Sequence, residues 1–171
     1  MTVSSPGYLK AFYSATRALG DKAVVSDAAF EIEGFEGMYL LTPQFPTPEL
    51  SSAGEIEVPT PLGAASWQPQ QVKVHQQGSI TLMETTAGHI SNMMLSLLTG
   101  GSQGRFAAKV YEGTPDKFYR AYRLVDCFLQ LDNPDRNWED RSQVLKISGQ
   151  LFFHYFGEIV PGNTQPTKFF G

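Results

Sequence analysis

Three histidines, one cysteine and two Glu-Ile-Glu triplets are the residues of this chain whose types could do chemistry. Each triplet, Glu31-Ile32-Glu33 and Glu55-Ile56-Glu57, sets two carboxylates two residues apart, which on a strand means one shared face. If the two strands are neighbours, the four carboxylates make an acidic patch. Such a patch is a general acid/base pair only where a cleft raises one pKa; otherwise it is a solvated face, or a surface that repels DNA. His75, His89 and His154 fall in separate segments, with neither an H-x-x-x-H spacing nor a cysteine pair of the kind zinc uses, and read as surface or polar-face residues. Cys127 lies among alternating apolar residues and reads as a buried, inert thiol; being alone, it excludes an internal disulfide. There is no G-x-S-x-G, no P-loop and no G-x-G-x-x-G. The Gly100-Gly101-Ser102-Gln103-Gly104 run follows a helical segment, the wrong order for cradling phosphate. The expectation is a protein that is not an enzyme, with no catalytic, metal or cofactor-binding residues.

The elements that would position these residues are dominated by the stretch from Lys117 to Phe156. In its second half Leu145, Ile147, Gly149, Leu151, Phe153 and Tyr155 alternate with Val144, Lys146, Ser148, Gln150, Phe152 and His154, a period of two that predicts a strand with one buried face. In its first half Tyr119, Ala121, Val125, Cys127, Leu129 and Leu131 share a face interrupted by Arg123. Asp132-Asn133-Pro134-Asp135 between them is turn chemistry, so the pair reads as an antiparallel hairpin. At about 13 residues each, these strands exceed the usual 3 to 10, and strands that long in a small domain often have a partner in another chain.

Before residue 28 a helical lead is expected over 5–20: Ser5 as cap, Pro6 in the first turn, Leu9, Phe12, Tyr13 and Thr16 at helical spacing, Gly20 as stop. From Ala28 the period is two, with Phe30 and Ile32, then Met38 and Leu40, predicting one bulged strand or a tight hairpin around Gly34–Gly37. Residues 42–69 hold six of the eleven prolines, with a small strand over Glu55–Val58. The apolar Phe45, Leu50, Ile56, Leu62 and Trp67 argue against disorder, so this stretch reads as a stiff arm that packs on something, a neighbouring subunit being the candidate. Val72–Val74 and Ser79–Thr85 read as strands joined by a bend at Gln76-Gln77-Gly78. Ile90, Met93, Met94, Leu97 and Leu98 then predict a helix over about 88–99, closed by Gly100-Gly101 and lying on the sheet. Arg105–Tyr111 is a further strand, and 157–171 is a polar tail with Phe169-Phe170 at its tip, either a docking peptide or a frayed end. The fold class expected is mainly β: an antiparallel barrel or sandwich with one packed helix, in a single domain over 28–156.

With 171 residues there is room for one sizeable core. Charged residues make up 18% against 42% hydrophobic, few for keeping an exposed surface soluble, which points to self-association. The net charge is −4, with nine Asp+Glu against four Lys+Arg up to residue 104, so no basic patch for gripping nucleic acid is expected. The start lacks the basic and apolar regions of a signal peptide and no apolar run spans a bilayer, giving the expectation of synthesis in the cytoplasm and no membrane association.

The opening Phe30-Glu31-Ile32-Glu33-Gly34, the Pro-rich segment ending near Trp67, Gln77-Gly78-Ser79-Ile80-Thr81-Leu82 and the helix after it come in a characteristic order. Asp132-Asn133-Pro134 and Trp138 then precede Leu151-Phe152-Phe153-His154-Tyr155-Phe156. Over about residues 28–156 this order resembles the tail tube proteins of contractile-tailed bacteriophages, whose fold the type VI secretion tube proteins share. The resemblance implies a virion structural protein: hexameric rings whose joined sheets line a lumen, stacked into a tail tube. DNA and the tape-measure protein would pass through the lumen without specific binding. A sheath would surround the tube, with baseplate and tail terminator proteins at its ends. Placed in that frame, Lys146, Ser148 and Gln150 face the lumen, and six copies at −4 bring about −24 to a ring. The helical lead and the tail exceed the family pattern, leaving open a specialised ring at one end, while a monomeric β-barrel binding an apolar ligand is the alternative of another class.

Overall fold

The structure, a computed structural model, describes residues 5–165. Helix α1 (Pro6–Ala18) starts where Pro6 occupies the first turn and ends before Gly20, whose φ of 90° no other residue adopts readily. None of its residues is buried. Strand β1 (Ala29–Ile32) follows, and then a 3-10 helix, Glu36–Leu41, in place of the second strand expected from the Met38/Leu40 alternation. The chain turns at once because Gly34 adopts a φ of 91°, and Met38 and Leu41 reach the core from a helical turn instead.

β2 (Glu55–Pro59) and β3 (Ala65–Pro69) pair only with each other, as a separate two-stranded hairpin. β4 (His75–Met83) runs straight through Gln76-Gln77-Gly78, where a bend is expected. A Cβ on Gly78 would come within 2.3 Å of the Pro46 ring, so the glycine there admits the incoming chain and does not break the strand. After α2 (His89–Thr99) come β5 (Phe106–Gly113), β6 (Phe118–Leu131), β7 (Lys146–His154) and β8 (Ile159–Pro161). All pairs are antiparallel, in the order β1-β5-β6-β7-β4, with β8 added beside the first half of β6. Part of the expected tail therefore belongs to the sheet, and Asn163 ties it down by accepting from the Phe118 N–H at 3.1 Å and donating to Asp116 O at 2.7 Å. The tip at Phe169-Phe170 lies outside the described residues.

β6 and β7 pair as expected, but the connection between them covers all of 132–145 and is no tight turn. The single face expected for β6 is also corrected. Asp126, with a φ of 48°, is an extra residue opposed by neither β5 nor β7, and the strand turns over there. Tyr122 and Leu124 before it and Cys127, Leu129 and Leu131 after it face the main core, which also holds Phe30, Ile80, Leu82, Val110, Leu151 and Phe153. Arg123 thus interrupts nothing: it lies on the opposite face, bonded to Glu33 at 3.2 Å and Glu158 at 3.4 Å. Ala121, Ala29 and Tyr111 form a small second cluster with Tyr39, Phe118 and Val160.

α2 buries Ile90, Met93 and Leu97 in the main core. Its N-terminus is capped from the end of β4, where the Glu84 carboxylate accepts the N–H groups of Ile90 at 3.1 Å and Ser91 at 2.9 Å and the Ser91 hydroxyl at 2.6 Å. Partial burial, the largest single influence, pushes this carboxyl up, but the hydrogen bonds from Ser91, Ile90 and Thr85 together outweigh it and hold it below the usual carboxylate range.

Candidate functional site

The side of β4 and β7 that turns away from α2 forms a largely polar face, because each strand alternates. Register sets His75 opposite His154, Gln77 opposite Phe152, Ser79 opposite Gln150, Thr81 opposite Ser148 and Met83 opposite Lys146. β6 extends two of these rows with Phe128 beside Phe152 and Gln130 beside Gln150. The Phe128 and Phe152 rings stack at 4.9 Å, and the Thr81 and Ser148 hydroxyls lie 3.4 Å apart. Lys146 and Ser148 are exposed and Gln150 is half-buried, while Ile147 and Leu151 between them are buried. The strand positions of β4 and β7 on this face carry no carboxylate, and Lys146 is their one formal charge. The chain's net negative charge therefore belongs to other surfaces.

The second feature is the hairpin, which begins later than the expected arm. Thr42 is buried, Phe45 stacks on Phe30 at 5.9 Å, and Pro48 is buried, so this part of 42–69 packs on its own chain. From Ser51 to Lys73 the two legs run together, held by Ala53 N–H to Gln71 O at 2.8 Å and by the Ser52–Val72 bridge. Gln76 pins the root: its buried amide accepts the Glu49 N–H at 2.7 Å and donates to Glu49 O at 3.1 Å and Lys73 O at 2.9 Å. Beyond that root almost nothing is covered. Leu50 and Ile56 are exposed, Trp67 is 73% exposed, and Leu62, at a φ of 66° in the turn, is fully exposed. A hydrophobic residue in a strained left-handed turn at an extremity is unusual, since asparagine or glycine would fit the backbone better.

The residues best suited to catalysis are not gathered. Glu31 and Glu33 belong to the β1 side of the large sheet and Glu55 and Glu57 to the hairpin, so strand pairing does not build the four-carboxylate patch. Glu31 instead accepts the Tyr111 hydroxyl at 3.0 Å; burial first, and then this carboxylate, raises that phenol to about 12. Burial, with Asp126 beside it, pushes the Cys127 thiol up to about 12, which leaves it protonated and unreactive at neutral pH. His89 sits 2.5 Å from the Thr85 hydroxyl at the start of α2, far along the chain from the facing His75 and His154. Among the described residues no group of three or more His, Cys, Asp or Glu could hold a metal, and no helix is long and apolar enough to cross a membrane.

What remains is a set of surfaces. The two outermost strands of the large sheet, β1 and β4, do not pair with each other, so the sheet does not close into a barrel within one chain. No protein-family model matches the sequence, and no curated protein does. Solved structures match the fold. A chain of the sheath-tube complex of an extracellular contractile injection system (PVC, extended state) aligns over 90% of this chain and 98% of its own, at a TM-score of 0.55 and 9% identity. The fold is one found in contractile injection systems. A chain from the sheath/tube terminator of the same system covers 84% of this chain and 98% of its own at 0.54 and 10% identity. One from the anti-feeding prophage baseplate covers 85% and 99% at 0.51 and 12% identity.

Sequence reasoning missed Gln76, the stacked Phe128 and Phe152, and the pairing of His75 with His154. Phe128 and Phe152 were legible as aromatics on polar faces, but their meeting depends on the extra residue at 126.

Proposed function

We propose that this chain is a structural subunit of the inner tube of a contractile injection apparatus, assembling with its own copies into hexameric rings that stack into a conduit. The observation that carries the proposal is the fold likeness to components of sheath-tube, terminator and baseplate assemblies over 84–90% of the chain. The open sheet supports it, since a ring of copies would cover the edge of β1 and the part of the β4 edge left open by the Gln44–Thr81 bridge, edges that otherwise invite uncontrolled pairing. In this reading Lys146, Ser148 and Gln150 line the lumen. The hairpin residues Leu50, Ile56, Leu62 and Trp67 reach a neighbouring copy, while Phe45 fixes the arm's root. Partners are a sheath outside, a tape-measure protein within, and baseplate and terminator proteins at the ends. The particle is a phage-type tail if DNA is the cargo.

The charge of about −24 per ring lies away from the proposed lining, which is almost neutral and whose one formal charge, Lys146, is positive. Passage of a polymer through it rests on a lining of hydroxyls and amides that offers weak, replaceable contacts rather than on repulsion.

Negative-stain electron microscopy of the purified protein tests the reading. Rings or tubes with a central hole are expected; a monodisperse monomer at high concentration by light scattering would overturn it in favour of a lone β domain. A second reading, an end ring, is favoured by the terminator and baseplate likenesses. It predicts single rings that never elongate.

A further inference from the structure

Strand register makes neighbours of two histidines that are remote in the chain. His75 opens β4 and faces His154, the last residue of β7. The Tyr155 N–H donates to Val74 O at 3.0 Å, a bond that flanks this pair, so the two histidines face each other at a position without ladder hydrogen bonds of its own. There the side chains of an antiparallel pair come nearest, with Cβ atoms about 4.5–5.5 Å apart. His75 is exposed and His154 half-buried.

The ring nitrogens of the pair are unequally committed. Nδ1 of His154 lies 3.3 Å from Asp126 O, and since a carbonyl only accepts, that nitrogen carries the proton. Asp126 is the extra residue of β6, opposed by neither neighbouring strand, which frees its carbonyl for the ring. The Nε2 lone pair of His154 is therefore uncommitted, and among the described residues neither this nitrogen nor those of His75 have a hydrogen-bond partner. An imidazole that donates one N–H to a backbone carbonyl and presents its other nitrogen is oriented as metal-binding histidines are. The backbone beneath is fixed as well, by the three hydrogen bonds of the Gln76 amide next to His75.

The surroundings select the kind of ion. With no carboxylate among the β4 and β7 positions of this face, Ca2+ and Mg2+ lack the oxygen ligands they require, whereas paired imidazoles suit zinc, nickel and copper. Nitrogens at about 2.0–2.1 Å from a shared tetrahedral ion stand roughly 3.3 Å apart, a separation that rings on facing strand positions can reach. No cation opposes binding from nearby: Lys146 lies eight residues along β7, about 27 Å, and Lys73 is paired with Glu49 at 3.0 Å. We propose that His75 and His154 bind one divalent transition-metal ion, through Nε2 of His154 and a ring nitrogen of His75, with water completing the coordination. The ion ties the start of β4, where the second leg of the hairpin enters the sheet, to the end of β7. One chain suffices for this site, so it stands or falls separately from the ring reading.

Titration calorimetry and thermal melts of the untagged full chain with Ni2+ test this. One ion per chain and a raised melting temperature are expected, with affinity lowered at least tenfold in His75→Gln and in His154→Gln and unchanged in His89→Gln. Mg2+ should give neither heat nor shift. Absence of Ni2+ binding, equal binding by wild type and both pair variants, or a loss in His89→Gln as large as in the pair variants overturns the proposal. A measurement on the wild type alone guards against a variant that folds poorly. Substoichiometric Ni2+ should broaden the imidazole NMR signals of His75 and His154 and spare those of His89, whereas broadening of all three alike, or of none, would sink the site.

Discussion

The six-stranded sheet and the β2–β3 hairpin use the same residue types to opposite ends. Within the sheet, Phe30, Ile80, Leu82, Leu124 and Leu151 are withdrawn from water, and the polar groups buried with them are paired. On the hairpin, Ile56, Leu62 and Trp67 stay in solvent. Scattered exposed apolar residues are ordinary, but a tryptophan and two aliphatics on one projecting hairpin with a pinned root make a concentrated surface. Burial within the single chain accounts for the first region, whereas the apolar side chains of the second stay exposed in it.

The contrast breaks if the core tolerates charge. Ile147→Asp places an unpaired carboxylate beside Ile80 and Leu82 strand positions, and a loss of more than about 4 kcal/mol is expected, enough to abolish cooperative unfolding. Circular dichroism melts check it. A soluble variant with a native melt would mean that the polar and apolar faces of β7 are assigned the wrong way round.

Gly149→Val perturbs the same sheet without adding charge. The new side chain meets the backbone of Gln130 and Leu131 in the adjacent strand, so β6 and β7 must separate locally, at a cost of about 1–3 kcal/mol measured by denaturant unfolding.

A smaller effect is expected where the sheet hands over to α2. Glu84→Gln should cost about 0.5–2 kcal/mol, as for loss of a helix cap, and toward the low end because the carboxylate is partly solvated. The folded-state pKa of Glu84 is depressed, so its contribution is fully present above the unfolded carboxylate pKa and fades as pH falls through the folded one. Wild type and variant should therefore differ in thermal midpoint at pH 7 and converge in acid. A difference that persists at pH 2 would mean that the charge has no role.

How far the sequence was readable follows the same division. Period-two alternation on β7 and the i, i+3, i+4 stripe of α2 were visible because burial on one side imposes a pattern on side-chain type. β6 was misread because one inserted residue, Asp126, reverses the faces downstream, and alternation carries no mark of an insertion except a charge in the wrong place. Arg123 and Asp126 were that mark. The 3-10 turn at Glu36–Leu41 has apolar residues that alternate by coincidence. In the arm, Phe45 and Trp67 look alike in sequence, both aromatic among prolines, yet one packs on Phe30 and the other is 73% exposed on the hairpin. Only the path of the backbone separates them.

The smallest effect on folding is predicted at the hairpin. Trp67→Ala should shift stability by no more than about 0.5 kcal/mol, because the side chain has little contact to lose. Joining Ser51 directly to Lys73, which removes residues 52–72, should likewise leave the melt of the sheet intact, since the root contacts among Glu49, Lys73 and Gln76 lie outside the deletion. Both changes should nevertheless prevent stacking of rings, read by the length of particles in electron micrographs. If the shortened protein still grows long tubes, the exposed hairpin has no part in stacking. If instead it fails to fold, the hairpin belongs energetically to the core, and the separation between a self-sufficient sheet and an outward-directed arm is wrong.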